Sequence, residues 1–510
     1  MMKFVIVGGG TAGWLTALYV KKYVAYSDVT VIASSEIGIL GAGEGTNWDF
    51  IQFLKEIDIP VAGVIKHARG TFKNGIKFTN WNGDGKSYHH PFLDHLGKDV
   101  QAEKNKFDIT PFYLNKVAEN QTFSDLQFTS IISEQNRVKY THDNTELGIS
   151  ALHFDANLLA KYLQDVGVSR GIKLIDDEVV EVISNKRGDI SEFKLKSGNT
   201  CEVGFAFDCS GFKRLLIGNH FNSEWVSYSE SLPVNRAMPF FIETDSKEIP
   251  PYTEAIAMKY GWMWKIPVQG RFGCGYVFDS RLVSDEDIKQ EIADYLGHEP
   301  TIPRVFNFEP GAYKDVWINN CIAIGLSAGF VEPLEATSIQ VTTFGLRALS
   351  TKIKGMLSDR KRAIKEFNYE MKRINDHILS FLHFHYLSKR NDTVFWTDFT
   401  KRNVKPDFVK KFDDIARKTF PKERDFVYLD MITQPSAMQA KNPFSIFSWH
   451  MVGAGIGYFR PDVARKELDN YKNFNMAESE ERLLSMLNLH AKETQDHYNY
   501  IEYLRTLDEN

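Results

Sequence analysis

The stretch KFVIVGGGTAGWLTALYVKKYV, residues 3–24, decides the fold. Lys3 to Val7 read as a short buried strand, and the residues after the glycines read as a helix with Leu15, Leu18, Tyr19 and Val20 available for one apolar face. DVTVIA, residues 28–33, is the next strand, so the chain is expected to open as the βαβ unit of a nucleotide-binding sheet. Gly8, Gly10 and Gly13, with Thr11 and Ala12 between them, form GxGxxG between strand and helix. The glycines permit a tight turn and close backbone approach, and the helix N-terminus offers free N–H groups to a pyrophosphate. An acidic residue usually ends the second strand to hold the ribose. Here Ala33 stands there, followed by Ser34, Ser35 and Glu36, and whether Glu36 takes over that role stays open.

Working outward, 510 residues allow two to three domains of ~150 residues, or one large mixed unit. Apolar residues at 43% and charged residues at 25% indicate a globular chain, and a net charge of −5 gives no reason to expect nucleic acid or an anionic membrane as partner. Cys201, Cys209, Cys274 and Cys321 lie far apart without a CxxC pair, which argues against zinc and a disulfide framework and for a reducing compartment. Three consecutive glycines within the apolar N-terminal run argue against a signal peptide or membrane anchor. A cytoplasmic protein is expected, with homo-oligomerisation left open.

Further strands are expected over DDEVVEVISN, ISEFKLKSGNT and EVGFAFDCSG, between 176 and 211, and around GWMWKIP and RFGCGYVF, as a second sheet beside the first. From about Thr337 the patterns become long and amphipathic. The expected class is therefore α/β (α+β): a GxGxxG body over 1–340 and a mainly helical, substrate-facing region over 341–510. GAGEGT at 41–46, FAFDCSGFKRLL at 205–216 and IAIGLSAGFVEPLEATS at 322–338 favour FAD over NAD. Ala42, Gly43 and Glu44 belong to the first of these. Gly325 is the turn residue expected to contact the cofactor a second time, with Ile339 beyond it.

Taken in order, GGGTAGW (8–14), LGAGEGT (40–46), TFKNGIKFTNW (71–81), YHHPF (88–92), LHFDANLLAKYL (152–163), FDCSGF (207–212), WMWKIP (262–267), GFVEPLEATS (329–338) and HYLSKRNDTVFW (385–396) resemble the flavin-dependent halogenases, in particular the tryptophan halogenase family. WxWxIP is that family's signature. The resemblance implies reduced FAD, O2 and a halide, with a flavin C4a-hydroperoxide oxidising halide to hypohalous acid that travels to a separate aromatic substrate. It also implies a separate NAD(P)H-dependent flavin reductase.

By the same resemblance Trp262, Trp264, Ile266 and Pro267 wall the flavin from the substrate. Lys73, preferred over Lys77, receives the hypohalous acid, and Glu335 accepts the ring proton. Thr337 and Ser338 flank the halide. Ser338 replaces the usual glycine, which puts the halide preference in doubt. His90, Phe92 and Trp449 are the substrate-side candidates, although aromatic residues at such spacings also serve as core. Gly45, Asn47 and Trp48 depart from the family's Ala-Thr-aliphatic-Pro strap, so transfer to free tryptophan is not implied. His377, His383 and His385 are not expected to share a metal, because positions two apart on a helix, such as 383 and 385, point about 200° from each other. The rivals are a flavin monooxygenase hydroxylating an aromatic substrate and a flavin-binding protein without turnover.

Overall fold

A computed structural model describes residues 2–24, 26–36, 44–92, 109–139, 150–353, 359–402, 404–433 and 442–507. Among them, the expected opening strand Lys3–Val7 lies between Asp28–Ala33 and Phe205–Asp208, parallel to both. Lys173–Asp176 and Cys321–Ala323 extend this sheet on its two sides, also in parallel, and Trp317–Ile318 adds an antiparallel edge. Side chains alternate across a strand, so KFVIV feeds two cores at once. Phe4 and Ile6 enter the large cluster that includes Trp14 and Leu18 of the helix Thr11–Tyr23. Val5 and Val7 enter a smaller cluster with Val179, Phe193 and Leu195. Those last residues come from the small antiparallel sheet of Val179–Ser184, Ile190–Leu195 and Thr200–Glu202, which covers the sheet's other face. A strand buried on both sides reads as a continuous apolar run for this reason.

The second sheet is present and has seven strands among the described residues. Its middle is an antiparallel succession of Arg236–Glu243, Arg271–Phe278, Gly261–Val268 and Thr253–Ala257. Thr253–Ala257 then pairs in parallel with Gly75–Thr79, which pairs antiparallel with Ser87–Pro91. In a separate short sheet, Ala151–Phe154 takes Glu44–Gly45 on one side and Thr71–Lys73 on the other. The strap carrying Gly45 and the strand carrying Lys73 thus share one partner.

Beyond residue 336 the described chain is almost wholly helical, including Thr337–Lys352, Arg360–His385, Ile446–Gly455 and His497–Thr506. The large cluster runs from Phe4 to Leu504, so these helices complete the core of the sheets. No helix among the described residues is long and apolar enough to cross a membrane.

Candidate active site

Lys73 ends the strand Thr71–Lys73 and is fully buried. Its Nζ has no hydrogen-bond partner among the described residues and lies 5.1 Å from the centre of the Phe92 ring. Burial pushes the amine down to about 7, with the charge of Glu335 working in the opposite direction. The C-terminal helix holds this strand in place: His497 donates from Nδ1 to the Ile249 carbonyl and accepts the Phe72 N–H on Nε2 at 3.0 Å. Lys77, the alternative lysine, is ion-paired with Glu134 at 2.7 Å and partly exposed.

Glu335 is also fully buried. His90 Nδ1 lies 2.9 and 3.1 Å from its two carboxylate oxygens, and His385 Nε2 lies 2.8 Å from Oε1. His385 Nδ1 is 2.8 Å from the Phe381 carbonyl, which can only accept, so that nitrogen carries a proton. His385 Nε2 is thereby aimed at the carboxylate. Burial alone would raise the Glu335 carboxyl, but His90 and His385 hold it down at about 2.

The paired indoles stand on the strand Gly261–Val268 with ring centres 6.3 Å apart, Trp262 fully buried and Trp264 partly so. Trp264 faces Gly275 across the sheet, where a Cβ would lie 2.1 Å from the indole. Trp262 Nε1 donates to Glu332 Oε2 at 3.0 Å, and the Tyr386 hydroxyl donates to the same oxygen at 2.5 Å. Ile266 and Pro267 continue the strand beyond its last pair with Thr253–Ala257, where a residue lacking an N–H is tolerated. Thr337 starts the helix Thr337–Lys352, and its buried Oγ1 has no partner among the described residues. Ser338 is half-buried, and its carbonyl accepts from Thr342. Before them Ala336 sits in the left-handed region at φ 53°.

His90 and Phe92 are thus brought to Glu335 and Lys73. Trp449 lies farther back, packed among Phe381, Phe384, Phe408 and Phe412, with Phe381 between it and His90. Of the three discounted histidines, His385 is the one on Glu335, whereas His383 meets the Ser231 carbonyl and His377 faces Asp430.

The sequence model of the family described as Tryptophan halogenase matches residues 3–471. The chain belongs to this family. It is 32% identical over 440 residues to the tryptophan 6-halogenase SttH of Streptomyces toxytricini, covering 79% of this chain and 82% of that one. It is 30% identical over 415 residues to the tryptophan 7-halogenase RebH of Lentzea aerocolonigenes, covering 77% and 78%. The structure of Tar14, a tryptophan C-6 flavin-dependent halogenase (chlorinase) from taromycin biosynthesis, superimposes with a TM-score of 0.87 at 26% identity, over 99% of this chain and 100% of that one. The protein is therefore an oxidoreductase, a flavin-dependent halogenase using reduced FAD, O2 and halide.

The residues present fit FAD. A Cβ on Gly8 would lie 2.1 Å from the Cys209 carbonyl oxygen, whereas a Cβ on Gly10 would meet nothing within 4 Å, leaving the helix N-terminus approachable. Thr11 Oγ1, at the start of that helix, is buried without a partner among the described residues. A Cβ on Gly325, at φ +71°, would lie 2.8 Å from Ala12 Cβ, so the second glycine turn meets the first. Ile339 lies buried in the first turn of the helix Thr337–Lys352. Glu44 lies in the short strap strand, while Ala42 and Gly43 fall outside the described residues. Glu36 is exposed and paired with Lys196 at 2.9 Å.

Several contacts of the site were not anticipated from the sequence. His385 and Glu332 both lie inside stretches that carry the family resemblance, which is the signal that could have found them. Asp176, beside Ala33 in the sheet, accepts from Ser35 N and Oγ and brings a carboxylate to the end of the second strand. Asn47 replaces an aliphatic strap residue and donates to the Glu335 carbonyl and Gln340 Oε1, tying the strap to the glutamate loop. No local pattern announces either contact.

Proposed function

We propose that this chain halogenates a ring carbon of an electron-rich aromatic molecule, an indole or tryptophan-like compound. The observation that carries the reading is a buried Lys73 amine with no hydrogen-bond partner among the described residues, within electrostatic reach of the buried Glu335 carboxylate, with Phe92 beside the lysine and His90 on the glutamate. Bound reduced FAD and O2 supply the oxidation of halide to hypohalous acid. The Gly8–Gly13 turn and Gly325 hold the cofactor, with Thr337 and Ser338 at the halide. Trp262 and Trp264 keep the organic substrate away from the flavin.

Lys73 hydrogen-bonds the hypohalous acid or takes its halogen as a haloamine, the X–O bond breaking and the hydroxide leaving as water with one amine proton, and near neutral pH its depressed basicity makes the free amine available. Electrophilic attack leaves a cationic ring, which Glu335 stabilises and deprotonates. His90 and His385 keep that carboxylate ionised and aimed. Phe92 and His90 border the substrate, with Trp449 supporting them from behind. Reduced flavin is delivered by a separate NAD(P)H-dependent reductase in the cytoplasm. Residues 1–340 form the flavin-binding body and 341–510 the helical substrate region.

A halide-by-substrate screen with regenerated reduced FAD tests this, read by product mass. Exchange of hydrogen for halogen, dependent on added halide, is expected. Addition of oxygen would instead establish a monooxygenase. Glu335→Gln is expected to lower kcat by ~10²-fold with a smaller change in KM, and an unaltered rate would assign proton removal elsewhere.

A further inference from the structure

A line of polar side chains leads from the tryptophan motif to the lysine. The Thr71 hydroxyl donates to the Pro267 carbonyl at 2.7 Å. A hydroxyl has a single hydrogen, so the 3.1 Å contact between Thr71 Oγ1 and His153 Nδ1 must be an N–H donated by the imidazole. His153 is fully buried, which holds it neutral far below its ordinary pKa, and its Nε2 is therefore a bare acceptor. The Thr253 hydroxyl, 2.9 Å away, must then donate to Nε2. This chain of donors turns the remaining lone pairs of Thr253 Oγ1 toward new donors.

Gly45 lies at the end of this line. It pairs with His153 across the short sheet, opposite Thr71 on the other flank. A Cβ on Gly45 would stand 3.2 Å from Lys73 Nζ, 3.4 Å from Thr253 Oγ1 and 3.4 Å from His153 Cδ2. One atom at that place therefore touches a buried amine without a hydrogen-bond partner among the described residues, an acceptor oxygen and an imidazole edge together.

We propose that Gly45 and Thr253 shape the place beside Lys73 where hypohalous acid is held, Thr253 Oγ1 accepting its O–H while the lysine nitrogen meets its halogen. This rests on the halogenase reading of Lys73. With only a hydrogen as the side chain of Gly45, the space that a Cβ would take beside Lys73 Nζ and Thr253 Oγ1 is left to the halogen, so this position bears on the halogen size that the lysine receives. A methyl group there presses only on the far end of a flexible lysine and is compatible with the fold.

The test uses the full chain, regenerated reduced FAD, indole as acceptor, and chloride or bromide at equal concentration. Gly45→Ala is expected to lower the ratio of brominated to chlorinated product at least fivefold. Thr253→Val is expected to lower kcat at least tenfold with KM for indole within twofold, and Thr253→Ser to restore kcat to within threefold of the parent. An unchanged halide ratio overturns the role of Gly45. A valine variant at parental kcat, or a serine variant as slow as valine, overturns that of Thr253. Lys73→Ala runs in parallel. An active Lys73→Ala would overturn the underlying reading, whereas an inactive one beside unmoved Gly45 and Thr253 variants overturns this inference alone.

Discussion

The burial of Lys73 costs the fold stability. Its folded-state pKa is about 7 and its ordinary value 10.5, so between these values the unfolded chain keeps a proton that the folded chain has released. Unfolding then takes up protons, and stability rises with pH across that window, with the whole burden of a buried ammonium present below it. Lys73→Met keeps the length of the side chain without its charge. It is expected to raise Tm by on the order of 2 °C at pH 6.5 while abolishing halogenation, with FAD binding retained. A lower Tm in calorimetry would show that the amine is held by favourable contacts rather than stranded by burial.

At the scale of the element, the strand Gly261–Val268 can present two indoles because its neighbours make room for them. Gly275 leaves the space that Trp264 fills, and Glu332 with Tyr386 anchors the Trp262 N–H. His385 and Tyr386, consecutive at the end of one long helix, grip Glu335 and Glu332, three residues apart in one loop. Gly275→Ala is expected to displace the Trp264 indole, destabilise the fold by ~1–3 kcal/mol, and lower halogenation at least ~10-fold. Product yield per reduced flavin consumed is the measurement. A yield equal to the parent's would mean that the position of this indole does not matter to transfer.

Across the whole molecule, buried titratable groups set the pH range of stability. Burial pushes His383, His450 and His497 down to about 4, and lowers His89 and His153 in the same direction. From pH 6.5 down to 4 the unfolded chain binds protons these histidines refuse, so their contribution is complete above 6.5 and is lost as pH falls. Burial raises Asp49 to about 6 and Glu332 to about 7, which acts oppositely over part of the range. The histidines outnumber them, leaving a net loss of roughly 1.4 kcal/mol per pH unit or more. Below 4.5, Glu335 and Glu134, both held near 2, add to the loss. Tm is expected to fall steadily from pH 7 to pH 4, and a flat profile would contradict the neutral state assigned to these histidines.

The nucleotide-binding opening, the second sheet, the helical final third and the family were legible in the chain, because strand alternation, glycine turns and helix periodicity are local patterns. The motif residues Lys73, Glu335, Trp262 and Trp264 were legible for the same reason, being short words in fixed order. What tertiary structure alone decided is which of them meet. His90 lies 245 positions from Glu335, and His385 lies 50 from it on a helix whose sequence shows only an amphipathic stripe. Asn47 on Glu335, Glu332 behind Trp262, and Gly45 against Lys73 likewise depend on the packing of distant segments. The depressed basicity of Lys73 and the acidity of Glu335 follow from burial and neighbours, which exist only once those segments have excluded water from between them.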